Sequence, residues 1–473
     1  MRYEIKGVIN ALFPPRPCEE ISLTEEEKIE DFLFVYETVV SSMPALKEYE
    51  RIYGISFREK KESYLELIRS TRDDYEFFVT MMAIFQDIPS FHTDLLYPYE
   101  IQQIRCYNSR KYAVARNQIS KSAYWERLLE DTRGRTEAVY TELRYTDGKH
   151  VLCDDEEWML EEIDGFSPET YIKIQVSVFN LHYDGKNKKP YRSMMIFNDR
   201  EGQAVSLKLR NKNGETLQKE VRQSLAMEEA YADQNFVKTQ EQPQVCEYPN
   251  FSYIRINNML NTYGETVKEM LESLKSENVV LDLRNNHGGN TDFAAKYIYP
   301  YLYAEKLETQ SIWYMQDSQA NREIRGNIFN RIFLGLRVTD DCPYIDTYSQ
   351  VQKTFYTSTA KQEYVGQRGK NKNVIILIGC GTGSAADRFA SDMKNANLAV
   401  LIGNNTGGEG RMASFNASCM PNSVLTFIYM PGAAKNPDGS DNSAVGTAPD
   451  IYVTDDEISQ ECKKWFAVNN KSK

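Results

Sequence analysis

Histidine is scarce in this sequence of 473 residues, which contains only four. Its eight cysteines are scattered and form no C-x-x-C pair, which argues against a zinc site and a dense disulfide framework. No apolar run approaches the 18 residues that a bilayer-spanning helix needs, so no stable membrane span is predicted. The formal net charge is −12 and no block of Lys and Arg stands out, which disfavours a nucleic-acid partner.

The amino terminus carries no recognisable export signal in the chain as it stands. Its opening stretch, MRYEIKGVINALFPPRP, lacks the long apolar core of a secretory signal peptide. The scattered cysteines do not decide between a reducing and an oxidising compartment. These features leave the localisation open.

The sequence pattern of the amino-terminal half changes from helical to strand-like near residue 136. After a segment at 1–22, residues 23–130 have helical periodicity and are predicted to form a small helical domain. Residues 136–225 contain short strands with turn residues, and Asn213-Gly214 predicts a hairpin there. The polar residues 226–245 are interpreted as a linker.

Residues 246–473 are predicted to form an α/β core. Its apolar segments NVVLDLR, NVIILIG and LAVLIG alternate with helical stretches, a pattern typical of a parallel sheet buried on both faces. Residues 305–370 show little periodicity and are interpreted as an insertion, in the position of a lid or flap.

A glycine-rich loop follows one of these strands and has two interpretations. Gly381-x-Gly383-x-x-Ala386 fits the fingerprint of a dinucleotide site, but the next strand ends in Asn404-Asn405 where that site needs an acidic residue. The same loop places Ser384 at the first turn of a predicted helix, where backbone N–H groups stabilise developing negative charge. The serine nucleophile is the favoured interpretation.

A nucleophilic serine needs a base, and the four histidines are the first candidates. His150 and His182 lie next to turns in the strand-rich region and are predicted to be surface residues. His287 follows a predicted strand in the loop NNHGGN, where it could line a cleft. His92 lies where the helical region ends, in the stretch IPSFHTDL.

Five segments in order resemble the carboxyl-terminal-processing (tail-specific) serine proteases. VVLDLRNNHGGN resembles the family's D-L-R-x-N-x-G-G signature, and GTGSAADRFA resembles its serine motif. IGNNTGGEG resembles the G-x-x-T-x-G-x-G loop, VGTAPDIYV the closing G-V-x-P-D-I motif, and QDIPSFHTDL the D-G-H-T/S stretch. Several motifs in the family's order are more specific than any one of them.

The resemblance further selects a branch of the family. In the tail-specific branch a lysine of the third motif is the general base, but Glu409 occupies that position here. Lys394 lies ten residues from Ser384 along the same helix, roughly 15 Å away, and is a poor substitute. The branch of the tricorn core protease and the interphotoreceptor retinoid-binding protein uses a histidine instead, and His92 matches it.

The resemblance implies a set of site residues. Ser384 is the expected nucleophile and His92 the expected base. The branch also has a glutamate that orients the histidine, and its expected position holds none; Asp441 is the first candidate for this carboxylate and Glu409 the second. Backbone N–H groups of Gly288 or Gly289 and of Ala385 are expected to hold the oxyanion.

The implied fold is a ClpP/crotonase-like α/β core with an N-terminal helical domain and a PDZ-like β-rich domain at 136–225. The implied activity is that of a serine endopeptidase acting on peptide or protein substrates, with no metal and no organic cofactor. A ligand- or peptide-binding protein on the same scaffold is the alternative. A crotonase-like acyl-CoA enzyme would share the core but not explain the motifs. Relatives often act in the cell envelope or after secretion, and the oligomeric state is left open.

Overall fold

The computed structural model describes residues 21–98, 123–130, 140–153, 157–236, 242–325, 337–339, 355–367, 372–412, 415–454 and 457–469. Among these, no helix combines the length and the apolar character that crossing a membrane would require. The predicted segment at 1–22 lies almost wholly outside the described residues.

A cluster of helices begins the described chain. Its first helix starts with the predicted capping box: Thr24 Oγ1 accepts from the Glu27 N–H, and Glu27 accepts from the Thr24 N–H. Apolar side chains of all four helices form one core, which explains the helical periodicity. The helices are Glu25–Ser42, Leu46–Tyr53, Lys61–Arg69 and Asp74–Phe85, and residues 123–130 are also helical.

The second region is a closed six-stranded antiparallel barrel. Asn213 and Gly214 form its predicted hairpin turn, where Gly214 takes a positive φ of 85°. The barrel strands are Tyr140–Thr146, Lys149–Cys153, Glu157–Ile163, Met194–Asn198, Gln203–Asn211 and Thr216–Gln223. The helix Pro168–Ile174 and the hairpin Leu181–Asp184 with Lys189–Arg192 lie between its strands in sequence.

The third region is built on a six-stranded sheet of α/β type. Five neighbouring strands are parallel, as predicted, and an antiparallel strand closes one edge. In sheet order the strands are Gln244–Glu247, Ser252–Arg255, Asn278–Asp282, Asn373–Ile378, Ala399–Gly403 and Ile451–Tyr452. Its helices are Gly264–Ser273, Ala294–Ile298, Tyr299–Leu302, Ala385–Asn395, Asn442–Val445 and Ile458–Asn469, and a short turn of helix spans Asn261–Tyr263.

Two smaller sheets complete the region. In one of them, Thr426–Tyr429 is the middle strand and pairs with Asp94–Leu95 on one side and Asn416–Cys419 on the other. This sheet joins the segment after His92 to the core. The other contains Arg337–Thr339, Phe355–Val365, Lys306–Gln316 and Gly432–Ala434, and the helix Gln319–Arg325 follows its long strand.

One expectation from the sequence is wrong in part. The predicted linker overlaps the helix Leu225–Phe236, in which Glu228 and Glu229 are buried. The insertion at 305–370 stays a prediction, and two paired eleven-residue strands of a sheet lie within it. The predicted domain boundaries stay predictions, since 131–139 and most of 237–245 fall at or beside gaps in the described residues.

His150 is not the surface residue that its turn-adjacent position predicted. It is 3% exposed, and its Nε2–H donates to the Arg192 carbonyl over 2.9 Å. Burial is the main cause that lowers the pKa of His150 to about 4, and Lys189 lowers it further. The hydrogen bond to the Arg192 carbonyl and the charge of Glu169 raise the pKa but do not offset the burial. The barrel therefore favours the neutral imidazole.

This burial predicts an acid sensitivity of the barrel. The unfolded chain binds a proton at His150 below a pH of about 6.5, whereas the folded chain does not until a pH of about 4. Stability from this group is thus present above pH 6.5 and is lost as pH falls toward 4. His150→Gln keeps a donor for the carbonyl and should reduce the pH slope of the unfolding free energy in that window by up to about one proton. Equal slopes in urea denaturation of both proteins would refute the prediction.

Candidate active site

Ser384 lies at the start of a helix in a strained backbone conformation. It precedes the helix Ala385–Asn395 with φ 53° and ψ −123°, a region that a residue with a Cβ seldom adopts. Such strain costs roughly 1–3 kcal/mol and persists only where neighbours fix it. The Ser384 N–H donates to the Gly408 carbonyl over 2.9 Å, and Gly383 forms a bridge with Gly408. The serine loop is therefore attached to the loop at 406–410.

A buried carboxylate on the serine helix strengthens this attachment. Asp387, fully buried and one turn after Ser384, accepts from Thr406 Oγ1 at 2.6 Å and from the Gly410 N–H at 3.1 Å. Thr447 Oγ1 and Asn442 Nδ2 donate to it at 2.7 and 2.9 Å. A carboxylate with several donors is stable in the interior, so helix and loop are held as one unit.

Glu409, in that same loop, binds the segment that carries His92. The Glu409 carboxylate is buried, and its Oε2 lies 2.8 Å from the His92 backbone N and 2.9 Å from His92 Nδ1. Its Oε1 accepts from Ser90 Oγ at 2.7 Å and from Tyr49 Oη at 2.9 Å. One side chain of the core thus fixes both the backbone and the ring of the histidine.

This contact determines which ring nitrogen can act as a base. A carboxylate only accepts hydrogen bonds, so Nδ1 of His92 carries the proton that it donates to Glu409. In the neutral imidazole, Nε2 is then the unprotonated nitrogen, free to accept a proton.

Phe91 brings the histidine segment against the serine loop. A Cβ built on Gly383 would lie 2.3 Å from the Phe91 ring, and one built on Gly407 would lie 2.6 Å from it. The glycines are therefore needed for the close approach of this ring. The His287 ring centroid is 5.5 Å from that of Phe91, so His287 lies beside the same site. The structure thus brings Ser384, His92 and His287 into one neighbourhood.

Asp441 and Lys394, the other two residues considered for the site, contact groups other than His92 and Ser384. Asp441, the first candidate for orienting His92, caps the helix Asn442–Val445 by accepting from the Ala444 N–H, and it pairs with Lys435 at 2.9 Å. Of the two candidate carboxylates, Glu409 is the one that contacts the His92 ring. Lys394 donates to the Ala448 carbonyl at 2.7 Å and pairs with Asp450.

Gly288 lies against the serine, but its own N–H is engaged. A Cβ on Gly288 would lie 2.6 Å from Ser384 Cβ and 2.9 Å from the Ala385 N. The Gly288 N–H donates to Asn286 Oδ1 over 2.9 Å. Among the described residues, no acceptor is found for the N–H of Gly289 or of Ala385. These two donors are the ones available to a bound group.

A polar cavity of about 400 Å³ opens beside the serine loop, between the barrel and the carboxyl ends of the parallel strands. Its walls include Tyr145 and Asp184 from the barrel side and Arg284, Cys380 and Tyr452 from the sheet. Gly379 and Cys380 of the serine loop line it, whereas Ser384, His92 and Glu409 do not. Parallel sheets generally place ligand sites at this edge.

Within the described residues, no group of three or more His, Cys, Asp or Glu side chains is arranged to hold a metal ion. Cys246, Cys380, Cys419 and Cys462 form no disulfide with one another.

Comparison with known proteins gives a match over the carboxyl-terminal part of the chain. Residues 250–453 match the model of peptidase family S41, and this segment contains Ser384, Glu409 and the glycine loops. This segment is therefore similar to a serine-type peptidase domain of family S41. No curated protein matches its sequence.

Two solved structures share the fold of this chain. Mature CPAF complexed with lactacystin superposes with a TM-score of 0.53 at 12% identity, covering 94% of this chain and 98% of CPAF. Mature CPAF alone gives 0.52 at 12% identity, covering 93% and 96%. At this identity the likeness concerns the fold alone.

The sequence pattern did not predict several residues of the site. Ser90 and Tyr49 support Glu409, and Asp387 joins the serine helix to the Glu409 loop. Asp387 had a detectable signal, because a carboxylate three residues after a helix-start serine is one turn away on the same face. Tyr49 had none, since its contact spans 360 positions of the chain.

The contact of Gly288 with the serine predicts a measurable asymmetry between two glycines. Gly288 and Gly214 both have positive φ, 90° and 85°, but a Cβ on Gly214 meets nothing within 4 Å. Gly214→Ala should lower the unfolding free energy by about 1–2 kcal/mol, the conformational cost alone. Gly288→Ala should lower it by more, because it adds a clash with Ser384. Equal losses in urea denaturation would contradict this account.

Proposed function

We propose that this chain is an endopeptidase of family S41 with Ser384 as nucleophile and His92 as general base. His92 Nε2 takes the Ser384 Oγ proton while Oγ attacks the peptide carbonyl. The protonated histidine then gives this proton to the leaving amine, and an acyl-enzyme remains. Water, deprotonated by the same nitrogen, attacks the ester and releases the second product. The observation that carries the proposal is the 2.9 Å contact of Glu409 with His92 Nδ1, which leaves Nε2 as the basic nitrogen.

Glu409 is proposed as the orienting carboxylate of the triad. It holds the ring by Nδ1 and stabilises the imidazolium that forms when Nε2 takes the proton. Its second oxygen is held by Ser90 and Tyr49, so the carboxylate itself is fixed. Burial raises the pKa of Tyr49 well above its ordinary value, with a further contribution from Glu409, so this phenol remains a donor.

The oxyanion is proposed to bind the N–H groups of Gly289 and Ala385. Ala385 begins the eleven-residue helix, whose dipole favours negative charge at that end. Gly288 has a spatial role instead: its lack of a Cβ leaves room beside Ser384.

The barrel is proposed to be the family's PDZ-like domain and the sheet region its ClpP/crotonase-like core. The first assignment is supported by a strand–turn–helix unit made of the strand Glu157–Ile163, the turn at Gly165 and the helix Pro168–Ile174. The parallel sheet with Ser384 at its carboxyl edge supports the second. Peptide or protein chains are the proposed substrates, and a PDZ-like groove would capture an extended segment.

The binding-protein alternative loses its main argument. It drew support from the missing glutamate near Asp441, whereas Glu409 supplies a carboxylate to His92 from another loop. A scaffold that only binds ligands has no need for a buried carboxylate aimed at a histidine beside a strained serine. The contact therefore favours the peptidase.

Fluorophosphonate labelling tests the nucleophile and the base. The wild-type protein should react covalently at Ser384, and Ser384→Ala should abolish the reaction. His92→Ala should slow labelling by at least about 10²-fold, because the serine loses its base. His287→Ala is the matched control and should retain most of the rate. An unlabelled wild-type protein, or labelling that persists in Ser384→Ala, would refute the proposed function.

A pair of isosteric substitutions tests the assignment of the carboxylate. Glu409→Gln should lower kcat roughly 10²- to 10⁴-fold with KM nearly unchanged, because an amide favours the wrong tautomer of His92. Asp441→Asn removes a charge paired with Lys435 and should leave kcat within about threefold of wild type. Peptide hydrolysis kinetics of both variants provide the comparison. The reverse order of effects would assign the role to Asp441.

A further inference from the structure

A buried ionic cluster joins the hairpin beside the barrel to the segment that carries His92. Arg192 Nη2 donates to Asp87 Oδ1 over 2.6 Å, with side chains that are 3% and 0% exposed. Lys60 Nζ and Tyr64 Oη donate to the other oxygen, Oδ2, at 2.6 and 2.9 Å. We call Asp87, Arg192, Lys60 and Tyr64 the Asp87 cluster.

The Asp87 cluster lies at one end of the histidine segment. The helix Asp74–Phe85 ends just before Asp87, and His92 follows five residues later. Gln86, which precedes Asp87, donates from Nε2 to Asp94 Oδ1 over 3.0 Å. This bond links the two ends of residues 86–94, which form a loop. Glu409 binds this loop in its middle, at Ser90 and His92. The loop position therefore depends on the cluster as well as on Glu409.

Arg192 is the member of the cluster that comes from outside the helical region. Its Nη1 donates to the Phe179 carbonyl over 2.6 Å and to the Gln86 carbonyl over 3.4 Å, so it bonds both sides of the junction. The Arg192 backbone carbonyl accepts from His150 of a barrel strand. The guanidinium is thus held on the barrel side and donates to Asp87 at the start of residues 86–94.

We propose that Arg192 is a positioning residue for His92, which makes the barrel side of the molecule part of the catalytic apparatus. The inference rests on the proposed role of His92 as general base. A buried carboxylate that loses one of its cationic partners is left with uncompensated charge and adjusts its position. A displacement of about 1 Å in a catalytic group can lower the rate about 10²-fold. Arg192 therefore acts on the reaction through Asp87 and the loop, without touching substrate.

Labelling kinetics with a fluorophosphonate test the proposal in the full chain. Arg192→Gln should lower the maximal labelling rate roughly 10- to 100-fold and leave the half-saturating probe concentration nearly unchanged. Arg192→Lys keeps a cation near Asp87 and should recover part of the rate. Arg58→Gln is the matched control, since Arg58 pairs with a different carboxylate of the helical region, Glu50. A rate loss in Arg192→Gln no larger than in Arg58→Gln would overturn the proposal.

Amide hydrogen exchange of residues 86–93 gives a readout that does not depend on catalysis. Arg192→Gln should speed exchange in this segment, whereas Arg58→Gln should not. If the wild-type protein fails to label, the proposed function is wrong, and faster exchange would still establish that Arg192 anchors the loop. Unchanged exchange in a folded Arg192→Gln protein would refute the anchoring itself.

Discussion

The Glu409 carboxylate is the contact on which the geometry of the site depends. It is buried, and it accepts hydrogen bonds from the His92 backbone, the His92 ring, Ser90 and Tyr49. A buried carboxylate is costly unless donors surround it, so loss of the His92 segment from a Glu409 that stays buried would leave its charge without these partners. The contact that aligns His92 therefore also attaches its segment to the core.

Asp387 is a second buried carboxylate that connects two parts of the site. Its position on the serine helix and its donors in the 406–410 loop connect Ser384 to the loop in which Glu409 sits. Glu409 itself has a φ of 60°, an unfavourable conformation that the surrounding bonds maintain. The proposed nucleophile and base thus belong to different regions of the chain but are connected through two buried carboxylates, Asp387 and Glu409.

Features that short stretches of sequence determine were predicted correctly. The capping box at Thr24 and the Asn213-Gly214 hairpin depend on neighbours in sequence, and the strand Asn373–Ile378 is recognisable as a short apolar run; the structure confirms all three. The buried state of His150 and the strands within 305–370 depend on tertiary contacts, which leave no periodic pattern in the sequence. Ser384 and His92 could be named as candidates because their motifs are local. Glu409 was ranked only second as the partner of His92, because 317 positions separate the two residues.

The position of Glu409 gives a physical reason for that ranking. In the tail-specific branch, from which this chain departs, the same position holds a lysine that acts on the serine directly, so a glutamate there looks like a missing base. A carboxylate is a weak base toward a serine hydroxyl, but it is a good acceptor for an imidazole N–H. With His92 as the proposed base, a negative charge at this position stabilises the imidazolium, whereas a lysine would repel it. The glutamate is thus the residue type that the proposed histidine-dependent site requires, and its 2.9 Å contact with Nδ1 joins it to His92.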